Sequence, residues 1–311
     1  MPRPVIIDCD PGQDDAVMLL LACASPELDV LGVTTVAGNV PLDLTQRNAR
    51  LMLELAGRSD VPVYAGCDRP LKRAPITAEA VHGMTGIDGY PIHEPALPLA
   101  EGHAVDFIIE TCRDAADGAI TLVPTGPLTN IATALTQEPA IASKIEQIVL
   151  MGGAFGRGGN VSPVAEFNIL ADPEAAKIVF GCGRPTVAFG LDVTQQVLTT
   201  PARLERIRAI STPVAEAVAG MLTYYDNSNI ERYGGPGRPL HDPCPIAWLI
   251  QPDLFTGRQV NVDVETGSEL TDGMTVVDLW GVTDRPKHTL WMREADADGL
   301  YALLTERLAM L

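Results

Sequence analysis

Asp8, Asp10, Asp14 and Asp15 fall within eight residues, in Val5-Ile6-Ile7-Asp8-Cys9-Asp10-Pro11-Gly12-Gln13-Asp14-Asp15. Carboxylates this close repel one another unless a cation neutralises them, and hard oxygen donors of this kind suit Ca²⁺ or Mg²⁺. The segment therefore reads as a metal site. The apolar run 5–9 before it has the character of a buried strand, and a helical pattern follows from residue 14. Asp10 to Asp15 then stand at the C-terminal end of a strand, where α/β proteins hold their ligands. Helix capping by Asp14 and a Pro-Gly turn fixed by Asp8 and Asp10 would account for one or two of these acids without a metal, but not for four.

The elements that must position these acids follow a βαβ rhythm. Near-continuous apolar runs at 5–9, 28–36, 119–123, 147–151 and 186–189 read as parallel strands buried on both faces, with helical patterns between them at 14–24, 42–55, 104–115, 128–135 and 173–180. This order predicts an α/β fold, a doubly wound and mostly parallel sheet with helices on both faces. Shorter runs at 259–264, 275–279 and 289–292 suggest a short antiparallel extension near the C-terminus, before a closing helix around 299–308. The loops after the predicted strands open onto one edge of the sheet. They would gather Asn39, Thr125, Asn160, Glu166 and Asn168 around the metal, a set of amide and carboxylate groups suited to hydroxyls. Each Asn or Gly taken singly could equally serve a turn.

Two longer segments remain. Residues 70–98 are rich in Pro and Gly and carry Val81-His82-Gly83-Met84-Thr85-Gly86. Residues 224–240 hold Tyr224, Tyr225, Asn229, Tyr233 and a Gly-Gly-Pro-Gly run that leads into His241-Asp242-Pro243. Long loops in compact domains often cover a site, and both read as lids with stacking residues; surface decoration is the blander reading.

Composition narrows the classes. The chain has 311 residues, 46% of them hydrophobic, enough for a large core, and it shows no linker, repeat or charge block, so 1–311 is read as one domain. Its longest apolar run, 16–24, is nine residues, short of the roughly 20 that cross a bilayer. Met1-Pro2-Arg3-Pro4 leads straight into a strand, and the six cysteines are scattered without metal-ligand spacing. A soluble cytoplasmic protein without a membrane partner is expected. A net charge of −18 argues against a nucleic-acid partner, since that affinity comes from Lys and Arg.

Asp8-x-Asp10-Pro11-Gly12-x-Asp14-Asp15, then Thr125-Gly126-Pro127, Met151-Gly152-Gly153, Glu166-Phe167-Asn168 and His241-Asp242-Pro243, in this order across nearly the whole chain, closely resemble the inosine-uridine nucleoside hydrolase family. The resemblance implies hydrolysis of the N-glycosidic bond of ribonucleosides with a tightly held Ca²⁺. It makes Asp10, Asp15, Asp242 and the carbonyl of Thr125 the metal ligands, and Asp10 also the general base. It assigns the ribose hydroxyls to Asp14, Asn39, Asn160, Glu166 and Asn168, and places Met151 and Phe167 among the substrate contacts. On the side of the base it gives His241 as the acid, with His82, Tyr225, Asn229 and Tyr233 supplying contacts or stacking. Tyr225 and Tyr233 favour stacking, Asn229 offers an amide to a pyrimidine edge, and no Trp occupies the lid segments, so a pyrimidine-preferring or broad enzyme is expected. The family further implies a homodimer or homotetramer. Two other readings remain. A haloacid-dehalogenase-like phosphatase also begins with Asp-x-Asp, but Pro11-Gly12 follow Asp10 here and no lysine sits in a convincing phosphate-holding position. A catalytically silent nucleoside-binding protein would keep the fold without turnover.

Overall fold

In chain order the strands are β1 (Arg3–Cys9), β2 (Leu28–Thr35), β3 (Val63–Ala65), β4 (Ile120–Pro124), β5 (Ile145–Met151), β6 (Thr186–Phe189), β7 (Leu198–Thr199), β8 (Arg238–Pro239), β9 (Phe255–Val260), β10 (Val262–Val264), β11 (Thr275–Val277) and β12 (Thr289–Ala295). They come from a computed structural model that describes residues 1–227 and 236–311. Eight of them form one sheet in the order β3-β2-β1-β4-β5-β6-β12-β9, parallel except for the edge pair β12-β9.

The sheet is doubly wound, as the unbroken apolar runs predict. Side chains of β1 alternate between two cores: Val5, Ile7 and Cys9 enter one, and Ile6 enters the other. On the first face lie helices Gln13–Cys23, Leu42–Leu55, Pro243–Ile250 and Ala297–Leu308; on the second, Ala104–Asp114, Thr129–Gln137 and Pro173–Gly181. Helix Gln13–Cys23 is apolar on every side and buried from Gln13 to Ala22, so the acids of its first turn are carried into the protein interior.

Strand order runs outward in opposite directions from β1 and β4, which makes their C-terminal ends the point where the winding reverses. A crevice opens at such a point, and ligands bind there. Asp10 follows β1 and Thr125 follows β4.

The C-terminal part carries the expected short antiparallel extension, the pair β12-β9, and differs from the expectation in where one strand breaks. The run 259–264 is not one strand: β9 ends at Val260, and after Asn261 the chain starts β10, which pairs with β11 in a separate two-stranded sheet. β12 joins the main sheet parallel to β6, and β9 lies antiparallel outside it. The closing helix begins at Ala297, where the Asp296 side chain caps it by accepting from Gly299 N. β3, β7 and β8 are two or three residues long, too short for a recognisable period. Among the described residues no helix is long and apolar enough to cross a membrane.

Candidate active site

The β1 and β4 ladder continues one step past the strands, with Thr125 N donating to Asp8 O at 2.8 Å. That brings the three strand-end loops together, and hydrogen bonds tie them. Asp10 Oδ2 accepts from Asn39 N at 2.7 Å, while Asn39 Nδ2 donates to Asp10 O at 3.1 Å and to Asp15 Oδ2 at 3.3 Å. Asp15 also accepts from Thr125 Oγ1 at 2.8 Å and from Gly12 N at 3.1 Å. Asp10 and Asp15 are wholly buried. Buried carboxylate oxygens normally find a donor, yet Asp10 Oδ1 and Asp14 Oδ1 have none among the described residues.

Ligand atoms of Asp14, Asp15 and Asp242 lie within 4.8 Å of one another. Burial first, and then mutual repulsion, raises the pKa of these acids: Asp15 is pushed up to about 7, and Asp10 and Asp242 also move up. Such an all-oxygen cluster, with buried orphan lone pairs, fits a hard divalent cation. Two glycines make room for it. A Cβ on Gly126 would come 2.6 Å from Asp10 Oδ1, and one on Gly38 would collide with Asp10 Oδ2.

Opposite the acids stands a wall of amides. Glu166 caps helix Phe167–Ala171, with Oε1 accepting from Asn168 N at 2.9 Å and Oε2 from Gly153 N at 3.0 Å. Asn160 Oδ1 accepts from Phe167 N at 3.0 Å. The Asn168 amide donates to Thr125 O at 2.6 Å and to Met151 O at 3.2 Å, so the loops after β4 and β5 are locked together.

A cleft open to solvent is lined by Asp14, Asn39, His82, Thr125, Met151, Asn160, Glu166, Phe167, Asn168, Tyr225, His241 and Asp242. Apart from Asp8, the predicted residues that the structure describes are at the cleft or, for Asp10 and Asp15, buried next to it. Asp8, read with them as part of the metal site, instead lies inside strand β1, where its Oδ1 accepts from Thr34 Oγ1 at 2.6 Å and from Asn130 Nδ2 at 2.8 Å. Asn229 and Tyr233 lie outside the described residues.

The helix Glu79–His82, inside the long segment 70–98, delivers His82. Gln13 Nε2 donates to His82 O at 2.8 Å and to Asp88 O at 3.3 Å, so its amide oxygen is what faces His82 Nδ1 at 2.8 Å. Nδ1 therefore carries the hydrogen, and Nε2 is an acceptor. His241 Nδ1 lies 2.7 Å from Thr194 Oγ1. Burial, reinforced by the charge of Arg238, pushes both imidazoles down to about 3, which leaves them neutral near pH 7. Arg238, Gln13 and Thr194 were not singled out in the sequence. Only the closeness of Arg238 to His241-Asp242 could have drawn attention to it.

The residue pattern of the inosine-uridine preferring nucleoside hydrolases matches the chain over residues 5–302. The chain belongs to this family. It is 51% identical, over 99% of both chains, to an uncharacterised protein of Schizosaccharomyces pombe. It is 48% identical to a pyrimidine-specific ribonucleoside hydrolase of Photobacterium profundum, over 99% of each chain. Among solved structures, a plant nucleoside hydrolase superposes with a TM-score of 0.93 at 34% identity, covering 99% of both chains. A purine-preferring ribonucleoside hydrolase of Gardnerella vaginalis gives 0.92 at 33% identity, covering 99% of this chain and 98% of that one. The protein is accordingly a hydrolase that cleaves the N-glycosidic bond of ribonucleosides.

The glycine backing of Asp10 gives a direct prediction. Gly126→Ala forces the Asp10 carboxylate to move, and a displacement near 1 Å at a reacting group costs about 10²-fold in rate. Steady-state kinetics should show the loss in kcat with the melting temperature little changed. A variant with wild-type kcat would mean that the position of Asp10 is not critical.

Proposed function

We propose that this enzyme is a Ca²⁺-dependent ribonucleoside hydrolase, folded as one domain over 1–311, that prefers uridine and cytidine. The observation that carries the reading is the buried carboxylate cluster with orphan oxygens, set beneath a cleft walled by hydroxyl-binding amides. Pyrimidine preference is favoured because relatives named pyrimidine-specific are 46–49% identical, whereas the purine-preferring structure is 33% identical.

Asp10, Asp15, Asp242 and the Thr125 carbonyl would hold the cation. Bound there, it would supply Lewis acidity toward water and a grip on the ribose 2′- and 3′-hydroxyls. Asn39, Asn160, Glu166, Asn168 and Asp14 orient the ribose, with Met151 and Phe167 as apolar contacts. As the C1′–N bond breaks, its electron pair leaves with the base and the sugar gains oxocarbenium character, which the surrounding carboxylates stabilise. Water adds its oxygen to C1′ and gives a proton to Asp10. His241, neutral near pH 7, relays a proton from solvent to the departing base, taking it up on one ring nitrogen and giving it from the other, while His82, Tyr225, Asn229 and Tyr233 contact the base.

A substrate panel tests this. Uridine and cytidine should exceed inosine and adenosine in kcat/KM by at least about tenfold, the scale that pocket contacts of 1–3 kcal/mol provide. Deoxyuridine should be poorer than uridine by about 10²-fold or more, because the groups that hold the 2′-hydroxyl are left unpaired. Efficient cleavage of deoxyuridine would remove the 2′-hydroxyl from the account. We further propose a homodimer or homotetramer. Sedimentation at micromolar concentration should then give a species heavier than the 33.1 kDa chain. The six free cysteines suit a reducing cytoplasm.

A further inference from the structure

Arg238 is a cation buried in the wall of the cleft, only 5% exposed, in a chain whose net charge is −18. An arginine with no more than a solvating role would keep its guanidinium in water. This one is instead fixed from the backbone outward. β8 pairs with β7 through Thr199↔Arg238 and Leu198↔Pro239, and Leu240 N donates to Val197 O at 2.8 Å. The guanidinium lies over the Tyr225 ring, 3.9 Å from its centroid, and donates to Tyr225 O. Tyr225 in turn stacks on His82, ring centres 5.4 Å apart. Arg238, Tyr225 and His82 thus form one stack of planar groups in the lining of the cleft. A planar base belongs against it.

We propose that Arg238 binds the base at the carbonyl oxygen next to its glycosidic nitrogen and holds the negative charge that collects there as the bond breaks. The inference rests on the proposed placement of ribose at the amides and base at the aromatic wall. The bond that breaks is C1′–N1, with both electrons going to the base, where they spread onto the neighbouring O2. The bond that forms joins C1′ to the water oxygen, whose proton goes to Asp10. The base anion is neutralised by a proton from solvent, relayed through His241. Arg238 changes no bond; it lowers the energy of the departing anion, as a preorganised buried charge does.

The test compares uridine with 5-fluorouridine, whose base is the more acidic and needs less help to leave. Arg238→Gln should lower kcat/KM for uridine by about 10²–10³-fold, the usual cost of removing such a donor. For 5-fluorouridine the loss should be at least about fivefold smaller. Arg238→Lys, which keeps the charge, should stay closer to wild type in this ratio, and guanidinium ion should restore part of the activity of Arg238→Ala. Equal losses on the two substrates would overturn the proposal. So would a weakening of Ca²⁺ binding in Arg238→Gln large enough to account for the lost rate, since Arg238 would then serve only as a counter-charge to Asp14. Base preference is judged separately, from the wild-type rates on uridine and inosine, so its failure and the failure of the Arg238 proposal are distinguishable.

Discussion

Asp10→Asn should lower kcat for uridine by on the order of 10⁴-fold, the upper range for loss of a general base, with a further loss from weakened cation binding. The substitution is nearly isosteric, and Asn39 N can still donate to the side-chain oxygen that replaces Asp10 Oδ2, so the loop after β2 stays in place. What disappears is the proton acceptor at Oδ1, one of the orphan buried oxygens. Rapid-quench or steady-state assays at saturating Ca²⁺ would separate the two roles. A kcat within tenfold of wild type would show that another group takes the proton.

Removal of the divalent cation should abolish turnover and make stability fall as pH rises. The sign follows from the carboxylates. Asp15 moves from 3.8 in the unfolded chain to about 7 in the folded one, and Asp10 and Asp242 are displaced the same way, chiefly by burial. Between about pH 4 and 7 the folded protein therefore holds more protons than the unfolded one. Stability falls as pH climbs through that window. Stripped protein should melt lower at pH 8 than at pH 5.5. Ca²⁺ at a hundred times its Kd contributes about 2.7 kcal/mol, which raises the melting temperature by roughly 5 °C at pH 8. A residual slope should persist with Ca²⁺ bound, because Asp8 and Glu166 are also raised to about 7. Calorimetry showing no effect of chelator at pH 8 would contradict a structural cation there.

What the sequence disclosed and what it hid follow from the range of the interactions. Asp10, Asp14 and Asp15 were legible because their repulsion and their place after an apolar strand are local facts. Asn39, Thr125, Glu166 and Asn168 became legible through topology, since parallel strands send their following loops to one edge. His82 could be located in a covering segment, but its tautomer depends on Gln13, whose amide is oriented by two carbonyls near residues 82 and 88. Arg238 stayed hidden for a similar reason. Its direction is fixed by pairing with Thr199, almost forty positions earlier, through strands too short to leave a pattern. The break at Asn261 left no local trace either. The run 259–264 has the composition of one strand, and only the separate pairing of Val262 with Val277 divides it.

The central claim is that the acid cluster, loaded with one divalent cation, hydrolyses a ribonucleoside. Its most direct test is a single incubation of the metal-stripped protein with uridine, monitored for uracil and ribose before and after addition of Ca²⁺. The account predicts no product before addition, then uracil and ribose in equal amounts through many turnovers. Uridine held by the protein without release of either product, or turnover indifferent to stripping, would contradict it.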